Sequence, residues 1–285
     1  MPVESLSMGD VEYGDTGGPG PTVVLLHGLL MDGTVWDPVV ARLDRAMRCI
    51  TPTLPLGAHA RPLRPDADLS IRGIAALIGE LLERLEIDNA VVVVNDLGAP
   101  LLLADGTHPR VGALVVTPCE AFDNIPPGLP GRVAGLAARV PGGLWLAVAS
   151  LRMPWVARLP MTFGWMSKRG VPRELLAAWL RPALRNARIR RDLRRYITAA
   201  RAEDLERATT ALQHFYRPAL VVWAAQDRIM PPDHGRRIAA LLPQGQLVML
   251  DDSYTLVQLD QPERLARLIE DFVTKRPPDR LSATG

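Results

Sequence analysis

From Ala90 to Val94 the chain is apolar at every position, and it breaks at once into Asn95-Asp96-Leu97-Gly98-Ala99. A run that does not alternate between inside and outside has to be covered on both faces, as the strands of parallel sheets are. Thr22-Val23-Val24-Leu25-Leu26 repeats the pattern and ends in His27-Gly28. Ala113–Val116, Ala219–Trp223 and Gln246–Leu250 read as further strands, and Cys49-Ile50-Thr51 as a weaker one. Helical signals fall between them. Ile74, Leu77, Ile78, Leu81, Leu82 and Leu85 share one face of a helix that Ser70 can cap. Trp36 to Leu43 reads as a helix started by Asp37-Pro38. Asp260 and Glu263 are spaced as a capping box, with Pro262 in the first turn, before the apolar face of Leu265, Leu268, Ile269 and Phe272. The strand–helix alternation predicts an α/β fold with a mostly parallel central sheet flanked by helices.

Between the strand near Val116 and the one at Ala219 lie roughly a hundred residues, against a dozen or more for an ordinary crossover. Residues 123–213 therefore read as an inserted helical cap, with helices over Pro172–Leu180 and Ile189–Leu205. The alternative is that this segment only covers the sheet edge. The core domain is then 1–122 with 214–274, and the polar, proline-rich 275–285 is a flexible tail.

At 285 residues and 48% hydrophobic content the chain can bury a large core, which excludes a wholly disordered protein. A formal charge of +2 gives no reason to expect nucleic acid as a partner. The basic series through Arg188, Arg191 and Arg195 is diluted by Asp192, Glu203 and Asp204 and reads as a solvated cap helix. No apolar stretch is long enough to span a bilayer, so no membrane partner is expected. Cys49 and Cys119 make no disulfide framework, and no Cys/His cluster has ligand spacing, so no metal or cofactor is expected. Met1–Ser5 lacks the basic and apolar parts of a secretory signal, which leads to an expectation of cytoplasmic residence.

Chemistry concentrates where the predicted strands end. A strand breaking at Asp96, with Gly98 and Ala99 letting a helix start close behind, lifts the Asp96 side chain above the sheet toward backbone N–H groups. A carboxylate so placed serves as nucleophile or acid/base; its other reading is an N-cap for the next helix.

His27-Gly28, Asn95-Asp96-Leu97-Gly98-Ala99 and Gln226-Asp227-Arg228, each following a strand, together resemble the α/β-hydrolase fold. Asp96 resembles the aspartate nucleophile of haloalkane dehalogenases and epoxide hydrolases, and the likeness runs from about Thr22 to Phe272. It implies an oxyanion site at the N–H groups of Leu29 and Leu97, with His27 positioning the loop at the pocket. It implies an orienting acid at Asp227, or at Glu120 in an alternative site; each also reads as a loop or helix-start residue. It places the general base in the loop 251–260, where Thr255 stands at the histidine position, and threonine is no base near neutral pH. The halide-binding Trp is Leu97 here and the Asn after His-Gly is Leu29, so dehalogenation is not the expected activity.

His59, in the loop after a strand, is a candidate base from another direction or a surface histidine. Tyr254 is a candidate hydrogen-bond donor to a bound oxygen, or packs its loop. Asn95, Leu256, Trp145, Trp155 and Trp165 are candidates for the walls of an apolar substrate pocket, with core packing as the other reading of the tryptophans. The expectation is an enzyme using Asp96 on a small to medium apolar organic substrate of epoxide, ester or lactone type. Cyclase, lyase or isomerase chemistry and a noncatalytic ligand-binding protein are the alternatives. A homo-oligomer is left open.

Overall fold

A computed structural model describes residues 1–43, 47–105 and 108–275. Its single sheet has eight strands: β1 (Val3–Leu6), β2 (Gly9–Asp15), β3 (Thr22–Leu25), β4 (Arg48–Pro52), β5 (Ala90–Asp96), β6 (Val111–Cys119), β7 (Ala219–Ala224) and β8 (Gly245–Leu250). They lie in the order β1-β2-β4-β3-β5-β6-β7-β8. β3 to β8 pair in parallel, while β1 and β2 form an antiparallel hairpin whose second strand pairs antiparallel with β4. The apolar runs occupy the sheet as expected, and β5 and β6 are buried at every residue. The hairpin was not anticipated. Its signal is short: only Val11 and Tyr13 alternate inward along β2.

Helices α1 (Asp37–Val40), α2 (Ile71–Arg84), α9 (Pro232–Leu241), α10 (Val257–Asp260) and α11 (Pro262–Lys275) belong to the core. Between β6 and β7 come α3 (Gly128–Arg139), α4 (Gly143–Ser150), α5 (Pro154–Ala157), α6 (Arg173–Arg185), α7 (Ala187–Ala199) and α8 (Ala202–Ala211). This is the inserted helical cap, and the fold is that of an α/β hydrolase. Ser70 Oγ accepts the Gly73 N–H at 3.2 Å and caps α2 as expected. Three local expectations change. The helix expected over Trp36–Leu43 is a 3-10 turn (Gly33–Trp36) running into the four-residue α1, because Asp32 caps it early by accepting from Thr34 N–H. The stretch Ile189–Leu205 breaks where Ala200 and Arg201 adopt extended backbone. The Asp260–Glu263 capping box does not form, because Asp260 serves the cap instead: its carboxylate accepts from Ser167 Oγ and from the N–H groups of Lys168, Arg169 and Tyr254. Of the expected tail, Lys275 ends α11, and 276–285 lies outside the described residues. No helix among the described residues is long and apolar enough to cross a membrane.

The cap is fastened to the core by buried polar groups. Trp179 Nε1 on α6 donates to Asp32 Oδ1 and Thr34 Oγ1 at 3.1 and 3.0 Å. Leu256 N–H donates to Met166 O at 2.7 Å. A hydrogen bond made inside the core is expensive to leave unmade, so each tie holds the cap in place over the carboxyl ends of the strands.

Candidate active site

Open parallel sheets present their ligand sites at the carboxyl ends of the strands, and here those ends converge under the cap. β3 leads to His27-Gly28-Leu29, β5 ends at Asp96, β6 runs into Glu120 and β7 leads to Asp227. A bulge between Val94 and Asp96 in the β5–β6 ladder re-aims the last residue of β5. Asp96 itself sits at φ +62°, a left-handed conformation that an L-residue adopts at a cost. The helix expected after it is a 3-10 segment (Ala99–Ala104) with Pro100 near its start. Asp96 does not cap that segment. Its Oδ2 accepts the Leu29 N–H at 3.0 Å, and Oδ1 has no protein hydrogen-bond partner among the described residues. Gly28 permits the approach, since a Cβ there would lie 1.8 Å from Asp96 Oδ2. The Leu97 N–H donates to Asn95 O at 2.6 Å, across the tight turn.

Above Asp96 is a cavity of about 260 Å³. Leu29 and Leu97 line its floor; Leu144, Val148, Val156 and Phe163 line it from the cap. Among the described residues, its ionisable lining is Asp96, Glu120 and Tyr196. Burial pushes the Asp96 pKa up to about 6, against the Leu29 hydrogen bond that holds it down. Burial, and next the charge of Asp96, push Glu120 up to about 8, although Gly98 N–H donates to its Oε2 at 3.3 Å. Tyr196 Oη is buried close to the Glu120 carboxyl, and burial, then the charges of Glu120 and Asp96, drive it well above the ordinary phenol range. Near neutral pH this is one ionised carboxylate facing two proton-bearing groups across an apolar chamber.

Asp227 and Thr255 form a separate pair behind Asp96. Thr255 Oγ1 donates to Asp227 Oδ1 at 3.0 Å, and the N–H groups of Ile229 and Met230 donate to the same oxygen. Oδ2 is buried without a partner, and burial raises the Asp227 pKa to about 7. Neither residue lines the cavity.

Several expected site residues have other tasks. His27 positions its loop: Nε2 accepts the Leu54 N–H at 2.8 Å, Nδ1 donates to Gly28 O, and burial lowers its pKa to about 4. It is a neutral strut and not a pocket wall. His59 cannot serve as the base, because both ring nitrogens are engaged. Nδ1 accepts from Gly57 N–H, and Nε2 donates to Asp192 Oδ2 on α7 at 3.4 Å. Burial raises the proton affinity of Asp192, but hydrogen bonds from His59, Arg191 and Leu63 outweigh it and leave the pKa lowered. None of the five histidines lines the cavity. Asn95 points into the core, where Nδ2 donates to Thr117 Oγ1 and Thr255 O and Oδ1 accepts from Gln258. Leu256 is fully buried outside the lining. The Tyr254 ring lies between the cations of Lys168 and Arg228, so it packs its loop away from the chamber. Trp165 lies under Arg228, and Trp145 and Trp155 face outward, because the buried faces of their helices are taken by Leu144, Val148 and Val156. The residue sequence reasoning missed is Tyr196. Its signal was present: Ile189, Leu193 and Tyr196 fall at helical spacing on the apolar side of an otherwise basic helix.

A deep carboxylate at a left-handed strand end, beneath a helical cap and beside a loop N–H that binds it, defines the site of an α/β-hydrolase-type enzyme. Residues 23–268 match the Alpha/beta hydrolase family, and the chain belongs to that family. It is 25% identical to the uncharacterized hydrolase YugF of Bacillus subtilis over 280 residues, which cover 93% of this chain and 94% of that one. It is 26% identical to haloalkane dehalogenase 2 of Mycobacterium tuberculosis over 290 residues, covering 93% and 92%. Among solved structures, the fold resembles a thermophilic esterase from Thermogutta terrifontis, with a TM-score of 0.71, 22% identity and 93% of each chain covered.

Proposed function

We propose that the protein is an α/β-hydrolase-fold enzyme that acts on a small to medium apolar substrate by proton transfer, as in cyclisation, elimination or isomerisation, with Asp96 as base and Glu120 as acid. The observation that carries this reading is the pairing, in one apolar cavity, of two carboxyl groups whose proton affinities are pushed apart, at about 6 and about 8, with no imidazole beside them. Pairs of titratable groups separated in this way assign themselves as base and acid. The cavity of about 260 Å³ lies just below the range of roughly 300–1,000 Å³ that small-molecule sites occupy, which favours a small substrate. An Asp96 bound wholly by helix N–H groups would favour a noncatalytic scaffold; Asp96 takes one N–H and leaves Oδ1 free for chemistry.

A covalent reading is supported by the same free oxygen. Oδ1 would attack an epoxide carbon while the Leu29 N–H holds Oδ2, forming an Asp96 ester as the ring C–O bond breaks, and Glu120 would protonate the released oxygen. Hydrolysis of the Asp96 ester would then rest on Glu120, left deprotonated by that step, to activate water in place of a histidine, and a slow second step would let the ester accumulate. Intact-mass spectrometry after exposure to epoxide, halide, ester and lactone panels separates the two. Proton transfer predicts turnover without an adduct, lost in Asp96→Asn and Glu120→Gln, with a bell-shaped pH profile bounded near about 6 and about 8. A persistent Asp96 adduct supports the covalent reading. Turnover retained in Asp96→Asn removes both.

A further inference from the structure

The helices that roof the cavity have a second apolar face. Along α4, Leu144 and Val148 are buried, while Trp145 and Leu146 are 48% and 65% exposed. On α5, Val156 is buried and Trp155 is 65% exposed. Leu136 and Val140, one turn apart at the end of α3, are 66% and 48% exposed. Large apolar side chains exposed together on packed neighbouring helices such as α3 and α4 are uncommon on soluble monomers, and tryptophans with arginines near them in sequence are the composition of a lipid–water boundary. Met161 lines the cavity and is also 41% exposed, so the apolar exterior and the chamber meet at one side chain.

The charges on this face share one sign. Between Asp123 and Glu174 the chain contains no aspartate or glutamate. Arg132, Arg139, Arg152 and Arg158 stand exposed there, and among the described residues none of them has a salt bridge. A two-fold contact between copies of this chain would set this uniformly basic face against itself, which like charges oppose. An anionic lipid headgroup layer complements it. We propose that the outward face of α3, α4 and α5 docks the protein on an anionic lipid surface, with the tryptophans at the headgroup level and the arginines on the lipid phosphates. The chamber mouth at Met161 then opens toward a reservoir of apolar molecules. This holds whichever chemistry Asp96 performs.

The test is flotation of the full chain with vesicles of phosphatidylcholine alone and of phosphatidylcholine mixed with phosphatidylglycerol. Binding is expected to the mixed vesicles, to weaken with added salt, and to be much reduced on neutral vesicles. Each of Arg139→Gln and Arg152→Gln is expected to weaken binding roughly fivefold, the worth of one basic residue near such a surface. Trp145→Ser with Trp155→Ser is expected to abolish retention with an unchanged melting temperature, and the arginine variants stand in if that pair does not fold. Equal binding to both vesicle types, or none to either, overturns the proposal. So does a solution dimer that the tryptophan pair dissolves while lipid binding is absent, since the face is then an interface between copies.

Discussion

Asparagine at Asp227 would show whether the deep carboxyl groups are held protonated by the fold. Asp227 Oδ1 takes hydrogen bonds from Ile229 N–H at 2.8 Å, Met230 N–H at 2.9 Å and Thr255 Oγ1 at 3.0 Å, while Oδ2 is buried with none. Burial raises the pKa from 3.8 to about 7. Between those values the folded state keeps a proton that the unfolded state has released. The stability this contributes is complete below about pH 4 and is lost as pH rises through about 7. About three units at roughly 1.4 kcal/mol each give a loss on the order of 4 kcal/mol, a ceiling that the effective interior dielectric reduces. Asparagine keeps the Oδ1 acceptor and does not ionise, so this part of the pH dependence should vanish. It also buries an amide without an acceptor, costing about 1–3 kcal/mol at every pH. Asp227→Asn should therefore be less stable than wild type near about pH 4 and as stable or more so near about pH 8. Urea unfolding across that range measures both curves. Parallel curves would refute the assignment, because a group that ionises alike in both states cannot tilt them.

Gly28→Ala should leave a folded protein with kcat/KM lower by about 100-fold, because the new Cβ occupies the place of Asp96 Oδ2 and moves the carboxylate by about an ångström; steady-state kinetics check this, and near wild-type activity would mean that the Asp96 position does not matter. Asp260→Ala strips the acceptors from Ser167, Lys168, Arg169 and Tyr254, and calorimetry should show destabilisation of about 3 kcal/mol or more, a fall in melting temperature on the order of 10 °C. An unchanged melting temperature would show that this tie does not hold the cap.

The sheet was legible because its central strands are apolar without interruption, and burial on both faces leaves such runs no other place. The hairpin β1–β2 was not, since Val11 and Tyr13 alone carry its inward face and the strand it joins, β4, is far off in sequence. Asp96, Glu120 and Asp227 could be found because each follows a strand, and strand ends locate a site before any side chain is placed. Direction was harder. Trp145 and Trp155 were expected in the pocket on size and apolarity, but α4 and α5 already have Leu144, Val148 and Val156 for their inner faces. His59 was selected for its loop, and only the tertiary fold brings Asp192 from α7 to claim its ring. The expectation of no membrane partner rests on the lack of a spanning segment, and no helix among the described residues is long and apolar enough to cross a membrane.

Thr255, whose hydroxyl donates to Asp227, brings no charge to this part of the site. An imidazole between Asp227 and Asp96 would carry positive charge when protonated and so stabilise ionised carboxylates on both sides; a hydroxyl carries none. The strand ends still deliver Asp96, Glu120 and Asp227 to one region, and the charge on Asp96 raises the pKa of each of the other two. Once Asp96 ionises, with Leu29 N–H to receive its charge, the remaining two are held toward their protonated forms. Burial first, and then the charge on Asp96, therefore hold Glu120 protonated near neutral pH, while Asp227 is about at its midpoint there. Hydrolysis through a triad needs a base that takes a proton from water and a partner that stabilises the resulting cation. The proposed reading instead uses Asp96 as base and Glu120 as an acid already loaded, which suits a reaction that takes a proton from one atom of a substrate and returns one to another.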